Sequence, residues 1–235
     1  MSIDFNGLTS KLEHTTASGY DTATRTILGW LWADGQGEGS FGRILCLSET
    51  DDATTFYHQN AANTLVFYQV WSGTDGQWTF PATDGQWNAV GLSYDGSLTT
   101  NDPVVRVNFA PVTVTQVASN PSGVLTVPAT GYCIGNNTGQ TRTWDGAIQH
   151  LQHFNVILTA DEMDAALRYP GSIRRGVVSH WKMLDVNNIE DSVNREFLPT
   201  GTSLITRSLA PAQCLRTRPL RSQTRARTRL LYLPA

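Results

Sequence analysis

Side-chain catalysis needs particular residue types at particular spacings, and in this chain the first candidates are its carboxylates. Glycoside hydrolysis needs two carboxyl groups facing each other across a sugar bond. Two acidic clusters are present, Glu49-Thr50-Asp51-Asp52 and Asp161-Glu162-Met163-Asp164. The first reads as a loop. The second reads as a helix start, where acids complement the helix dipole. Neither has a facing strand of carboxylates. No G-x-S-x-G elbow occurs, and Ser40 and Ser93 have no histidine beside them in sequence. Gly37, Gly39 and Gly42 fit G-x-G-x-x-G, but a dinucleotide site needs that motif to open a helix. Here Arg43-Ile44-Leu45-Cys46-Leu47 follows and reads as a strand. His150 and His153 form H-x-x-H, a spacing that shares a face on a helix but not on a strand unless a bulge intervenes. Ile148 and Leu151 break strict alternation there, so a bulge fits. No third ligand accompanies the pair, and no metal centre is expected.

Two constellations suit binding rather than catalysis. Thr74-Asp75-Gly76-Gln77-Trp78 and Thr83-Asp84-Gly85-Gln86-Trp87 form an imperfect repeat nine residues apart. Asp-Gly before an aromatic is a turn signal, so the repeat reads as two β-turns. An exposed indole face can stack on a pyranose ring, which makes Trp71 and Trp78 candidate sugar contacts; the competing account is core packing. The second constellation is the C-terminal arm, with Arg216, Arg218, Arg221, Arg225, Arg227 and Arg229 every two to four residues. Leu230-Leu231-Tyr232-Leu233 then forms an apolar plug. Such an arm can dock on an acidic neighbour, with Leu231 and Tyr232 adding a strand or filling a groove. Aromatics do not interleave with the arginines, so nucleic acid is not the expected partner. A solvated tail is the alternative.

The elements that must carry these residues are mostly strands. Residues 2–13 place Ile3, Phe5 and Leu8 around Asn6-Gly7, the signal of a first hairpin. Strands are expected at 24–32, 43–48, Thr54–His58, 63–71, Trp87–Asp95 with a partner at 104–109, and 176–184; a β-arm spans 112–117, and 124–127 leads into the 130–169 segment. Trp30 is the expected core anchor of the first of these. One helix stands out. Thr159 can cap it, Glu162 completes a capping box and Leu158 can staple to Met163. Pro170-Gly171 ends it after Tyr169.

Composition agrees with an all-β chain. Only 16% of the 235 residues are charged, and seven Trp are available for a core. No run of about 18 apolar residues exists, so no membrane span is expected. Met1-Ser2-Ile3-Asp4 shows no basic start or apolar segment of a secretory leader. Cys46, Cys133 and Cys214 are odd in number and far apart, so neither a disulfide framework nor a zinc set is expected. These features together read as synthesis in a reducing cytoplasm. Charge is uneven: residues 1–200 hold ten Lys/Arg and all twenty Asp/Glu, net −10, whereas residues 201–235 hold seven Arg and no acid.

Residues 130–169 carry a family resemblance. Tyr132-x-Ile134-Gly135, a polar loop, Trp144-Asp145-Gly146-Ala147-Ile148 and Leu158-Thr159-Ala160-Asp161-Glu162-Met163 resemble the closing segment of laminin-G-like (concanavalin A-like) jelly rolls. Trp87-x-x-Val90 through Tyr94-Asp95-Gly96 is similar to another strand of that family, as are the opening Phe5-x-Gly7 and the 24–32 strand. Where the family continues V-N-G, this chain has Asn108-Phe109-Ala110, which implies a different turn. The resemblance implies an antiparallel jelly-roll β-sandwich over residues 1–208, with one short helix, followed by an extended basic arm over 209–235. Glycan hydrolases of this fold carry E-x-D-x-x-E, which is lacking here. Some laminin-G-like modules bind calcium at the rim, and Asp95, Asn136 and Asp145 are the rim candidates; turn shaping is the plainer account of all three. The resemblance also extends to phage structural modules. The preferred expectation is a non-enzymatic virion protein, a capsid decoration or surface-adhesion subunit made in the host cytoplasm. It would be held at the virion surface by other virion proteins or copies of itself. The alternative is a carbohydrate-binding lectin module, and a glycan hydrolase comes last.

Overall fold

The computed structural model describes residues 2–14, 19–20, 22–47, 53–117, 120–127, 131–184, 193 and 205–207. In chain order the strands are Ser2–Asn6 (β1), Leu12–His14 (β2), Thr24–Ala33 (β3), Arg43–Leu47 (β4), Thr54–His58 (β5), Thr64–Gln69 (β6), Gly76–Pro81 (β7) and Trp87–Asp95 (β8). Then come Val104–Val107 (β9), Ala110–Pro111 (β10), Thr115–Gln116 (β11), Tyr132–Ile134 (β12) and Asp145–Phe154 (β13). The helix Ala160–Arg168 (α1), Val177–Trp181 (β14) and Ile205–Arg207 (β15) follow. Among the described residues these make two antiparallel sheets. One runs β10-β9-β8-β3-β13-β1-β15, with β14 also on β13; the other runs β11-β7-β6-β5-β4-β12-β2. The fold is a jelly-roll sandwich.

Alternation along β3 explains the layering. Ile27 and Leu31 point into the core between the sheets. Leu28 and Trp30 point out, where α1 covers them with Met163, Ala166 and Leu167. The Trp30 indole donates to the Leu167 carbonyl at 3.0 Å. Trp30 therefore anchors the helix layer and not the space between the sheets, because its strand is buried on both faces. The helix starts as its sequence predicts: the Thr159 side chain accepts from the Glu162 N–H, and the Glu162 carboxylate accepts from Thr159 N–H at 2.8 Å. Leu158 and Met163 are buried in the same cluster. Arg175 and the Thr159 backbone amide hold the Glu162 carboxyl down to about 2.

The opening residues do not form a hairpin. β1 pairs with β13 in one sheet, while β2 pairs with β12 in the other. The Asn6 carboxamide oxygen accepts the N–H groups of Leu8, Thr9 and Ser10, turning the chain across the sandwich edge. The stretch 124–127 contributes one bridge, Trp71 to Leu125, and no strand. The expected β-arm over 112–117 holds one short strand, β11, which extends the second sheet, while β10 just before it extends the first.

Along β13 the register against β3 slips between Gln149 and Gln152, with His150 at φ 50°. This bulge is where the other edge of β13 changes partner, from β1 over residues 145–148 to β14 over 151–154. It also separates the H-x-x-H histidines. His153 turns inward and stacks on Tyr20 at 4.8 Å, while His150 meets His180 of β14, Nδ1 to Nε2 at 3.3 Å. His180 and His58 therefore have partners, the latter Asp84 at 2.8 Å. Cys46 and Cys133 lie opposite each other on β4 and β12, both buried.

Two expectations follow. Gly146 sits at φ 142°, and an added Cβ would run into the Trp32 carbonyl oxygen. Gly146→Ala should cost about 3 kcal/mol or more of unfolding free energy, read by urea denaturation. Burial, helped by Lys182, Arg25 and the neighbouring histidine respectively, pushes His150 down to about 4, and His153 and His180 to about 3. An unfolded histidine titrates near 6.5. Between these values the unfolded chain binds protons that the native one refuses, so stability is full above about pH 6.5 and falls as pH drops toward 3. Ring ¹⁵N shifts at pH 5 should show these three imidazoles neutral in the native protein and protonated in urea.

Candidate functional site

At the end of β8 the chain leaves the sheet through Asp95-Gly96, and the turn is built by side chains. Asp95 Oδ1 accepts from the Ser97 N–H at 3.0 Å, an Asx turn, while Gly96 N–H is held by the Ala23 carbonyl at 2.9 Å. Asn101 reaches back to the Asp95 carbonyl at 2.9 Å, closing the loop that leads to β9. The next residue, Asp102, is fixed from across the sandwich: the Trp78 indole N–H donates to its Oδ1 at 2.7 Å.

Between this loop and the segment entering α1 lies a concavity of about 330 Å³, lined by Ser93, Asp95, Thr100, Asn101, Asp102, Val104 and Ile157. Its lining mixes two carboxylates, two hydroxyls and an amide with the apolar side chains of Val104 (57% exposed) and Ile157 (38%). Among the described residues neither carboxylate has a Lys, Arg or His ion-pair partner. Acceptors that keep lone pairs available beside an apolar surface suit a ligand with hydroxyl groups on one side and C–H bonds on the other.

The rim candidates from the sequence do not come together. β8 and β13 both run antiparallel to β3, so Asp95 at the end of β8 and Asp145 at the start of β13 lie at opposite ends of the sheet. Asn136 is at the Asp145 end, buried. Its amide donates to Ser10 O and Thr143 Oγ1, and its oxygen accepts from Asn137 and Arg142 N–H. It shapes a turn with its whole side chain. Among the described residues no three His, Cys, Asp or Glu side chains gather to hold a metal ion.

The stacking role of Trp71 and Trp78 is corrected. Trp78 is 0% exposed and Trp71 5%. Trp78 packs on Phe67 and Tyr94 between the sheets, so no indole face is open to a sugar. What sequence reading missed is that Trp78 acts on the site from inside, by orienting Asp102. The signal was faint: an Asn101-Asp102-Pro103 loop after a strand ending in Asp-Gly. The indoles that reach the surface are Trp32 and Trp87, an edge-to-face pair at the far rim. Arg216, Arg218, Arg221, Arg225, Arg227, Arg229, Leu231 and Tyr232 lie outside the described residues.

No protein-family model matches the chain, and no curated protein matches it in sequence. Solved structures do match in shape. The heptameric SAP-like pentraxin of Limulus polyphemus is 17% identical, with 87% of this chain and 93% of that one covered at a TM-score of 0.57. A putative carbohydrate binding protein from Bacteroides ovatus is 14% identical over 89% of this chain, at 0.61; the chain spans 60% of that protein. Mouse laminin α1 domains LG4-5 align at 0.48, with 14% identity, 76% of this chain and 45% of that one covered. At such identities the likeness is one of fold, and the fold of this chain is the laminin-G-like, concanavalin A-like jelly roll.

Proposed function

We propose that this chain is a non-catalytic carbohydrate-binding module that holds a saccharide in the concavity between the 95–103 loop and Ile157. One observation carries the reading: two carboxylates without cationic partners, Asp95 and Asp102, line the same sugar-sized concavity as the apolar side chains of Val104 and Ile157. Carboxylate oxygens accept from vicinal hydroxyls, and Val104 with Ile157 covers the C–H face. Each carboxylate already has one oxygen engaged, by Ser97 N–H and by Trp78 N–H, an arrangement that fixes acceptors. The shared fold of a protein described as carbohydrate binding supports the reading. With no arginine or lysine lining it, the site favours neutral sugars over sialylated, uronic or sulfated ones, whose charges two carboxylates repel.

The virion reading gains no support from the comparisons; it rests on the resemblance to phage structural modules and on charge asymmetry, the basic tail against an acidic body. It is separable: deleting residues 209–235 would lower the assembled mass in light scattering only if the arm joins subunits.

A glycan array should show binding to neutral oligosaccharides. Asp102→Ala and Ile157→Asp should each weaken binding at least about tenfold, as loss of a charge-assisted hydrogen bond or of apolar contact implies. Trp87→Ala at the far rim should leave affinity within about twofold. Uniform background across the array, or equal loss from all three variants, overturns the assignment. Release of reducing sugar from the bound glycan would overturn its non-catalytic part.

A further inference from the structure

A second polar cluster lies between the sheets, apart from the rim concavity. Arg25 occupies an inward position of β3 and is 0% exposed. Its guanidinium meets only neutral acceptors: Nη1 donates to Thr54 Oγ1 and Nη2 to the Thr22 carbonyl at 2.6 Å. The Thr54 hydroxyl passes its own hydrogen to Gln69 Oε1 at 2.7 Å, so no negative charge enters the chain of bonds. Arg25 Nε has no acceptor. Among the described residues no carboxylate pairs with this arginine. Burial lowers it only to about 10, so the guanidinium stays charged at neutral pH.

The groups around Arg25 are short of acceptors too. Tyr94, its cross-strand partner on β8, has a buried hydroxyl with no hydrogen-bond partner. Trp71 directs its indole N–H toward that hydroxyl, restraining the rise that burial gives the phenol, yet falls short of hydrogen-bond geometry. On the other side His153, whose ring feels the Arg25 charge, leaves both nitrogens unbonded. Asp95 and Asp102 act on Tyr94 from the rim, but neither is an ion-pair partner of Arg25. Guanidinium, phenol, indole and imidazole donors thus line one seam, with a full positive charge and no anion. A buried charge left this way costs several kcal/mol, and a hydrogen-bonded counter-charge removes most of that cost. Water can accept these hydrogens but cannot neutralise the charge.

We propose that the Arg25–Tyr94–His153 seam is an interior binding site for a small monovalent inorganic anion of the halide class, with chloride as the ligand available in solution. The anion would accept from Arg25 Nε and the neighbouring donors, tying β3, β8 and β13 to the opposite sheet. The site is independent of the glycan reading, since it faces the core and not the rim.

Thermal unfolding in sodium chloride against sodium gluconate at equal ionic strength is the first test. A native-state site raises Tm by about 4 °C for each tenfold rise in chloride above its dissociation constant, whereas gluconate is too large to enter. The second is anomalous scattering from bromide-soaked crystals of the full chain, expected to give a peak within hydrogen-bond reach of Arg25 Nε. Arg25→Met should abolish the chloride response; if that variant does not fold, the bromide peak decides. Equal melting in the two salts, only water at Arg25, or bromide confined to surface residues as an adventitious ion only, would each overturn the proposal.

Discussion

Burial of β3 on both faces is the constraint from which most of this architecture follows. A strand at the middle of an exposed sheet needs one apolar face, but this one carries Ile27 and Leu31 on one side and Leu28 and Trp30 on the other. The outward face must be sealed, and α1 seals it. That requirement explains why the helix is so fully specified despite having nine residues, too few to be stable alone in water. It also explains the glycine at position 91 of the neighbouring strand, where a Cβ would stand 3.0 Å from Leu28 and close to Met163 and Leu167. Arg106 completes the seal by gripping Asp164 with two bonds of 2.8 Å, from β9 to the helix.

The same constraint places the candidate site. The chain must climb from the end of β13 over the sheet edge to begin α1, and Ile157 lies on that climb. The 95–103 loop leaves the same edge from β8. The concavity is thus the gap between two segments that the helix layer obliges to pass each other. Its polar side is then fixed from the core, because a buried Trp78 needs an acceptor for its indole N–H and finds it in Asp102. Core packing and site geometry share one hydrogen bond.

Features encoded by local chemistry were legible in the sequence. The Thr159–Glu162 capping box, the Asp95-Gly96 turn, the strand Trp87–Asp95 and even the irregularity near His150 follow from residues within a few positions of one another. What failed was long-range. Asn6-Gly7 looks like a hairpin turn, but the Asn6 side chain serves three consecutive N–H groups and sends the next strand to the other sheet. Alternation shows that a strand has two faces but not what covers each, so neither the layer that Trp30 anchors nor the choice between core and surface for Trp71 and Trp78 follows from it. The site itself was legible only at Asp95, because Asp102, Val104 and Ile157 meet through tertiary closure.

The distribution of unpaired charge unites the rim and the interior. Most charges of the described residues that matter structurally are matched, as in Arg106–Asp164, Arg175–Glu162 and Lys11–Glu13. Asp95, Asp102 and the guanidinium of Arg25 have no such partner among the described residues, although β8, which ends at Asp95, runs beside β3, which carries Arg25. Alternation sends Arg25 and Tyr94 inward, and Ser93 and Asp95 toward the rim concavity, while Asp102, in the loop beyond β8, is held by Trp78. Because the pleat keeps them apart, the carboxylates stay available as acceptors at the surface, and the arginine keeps a demand for a negative charge in the core.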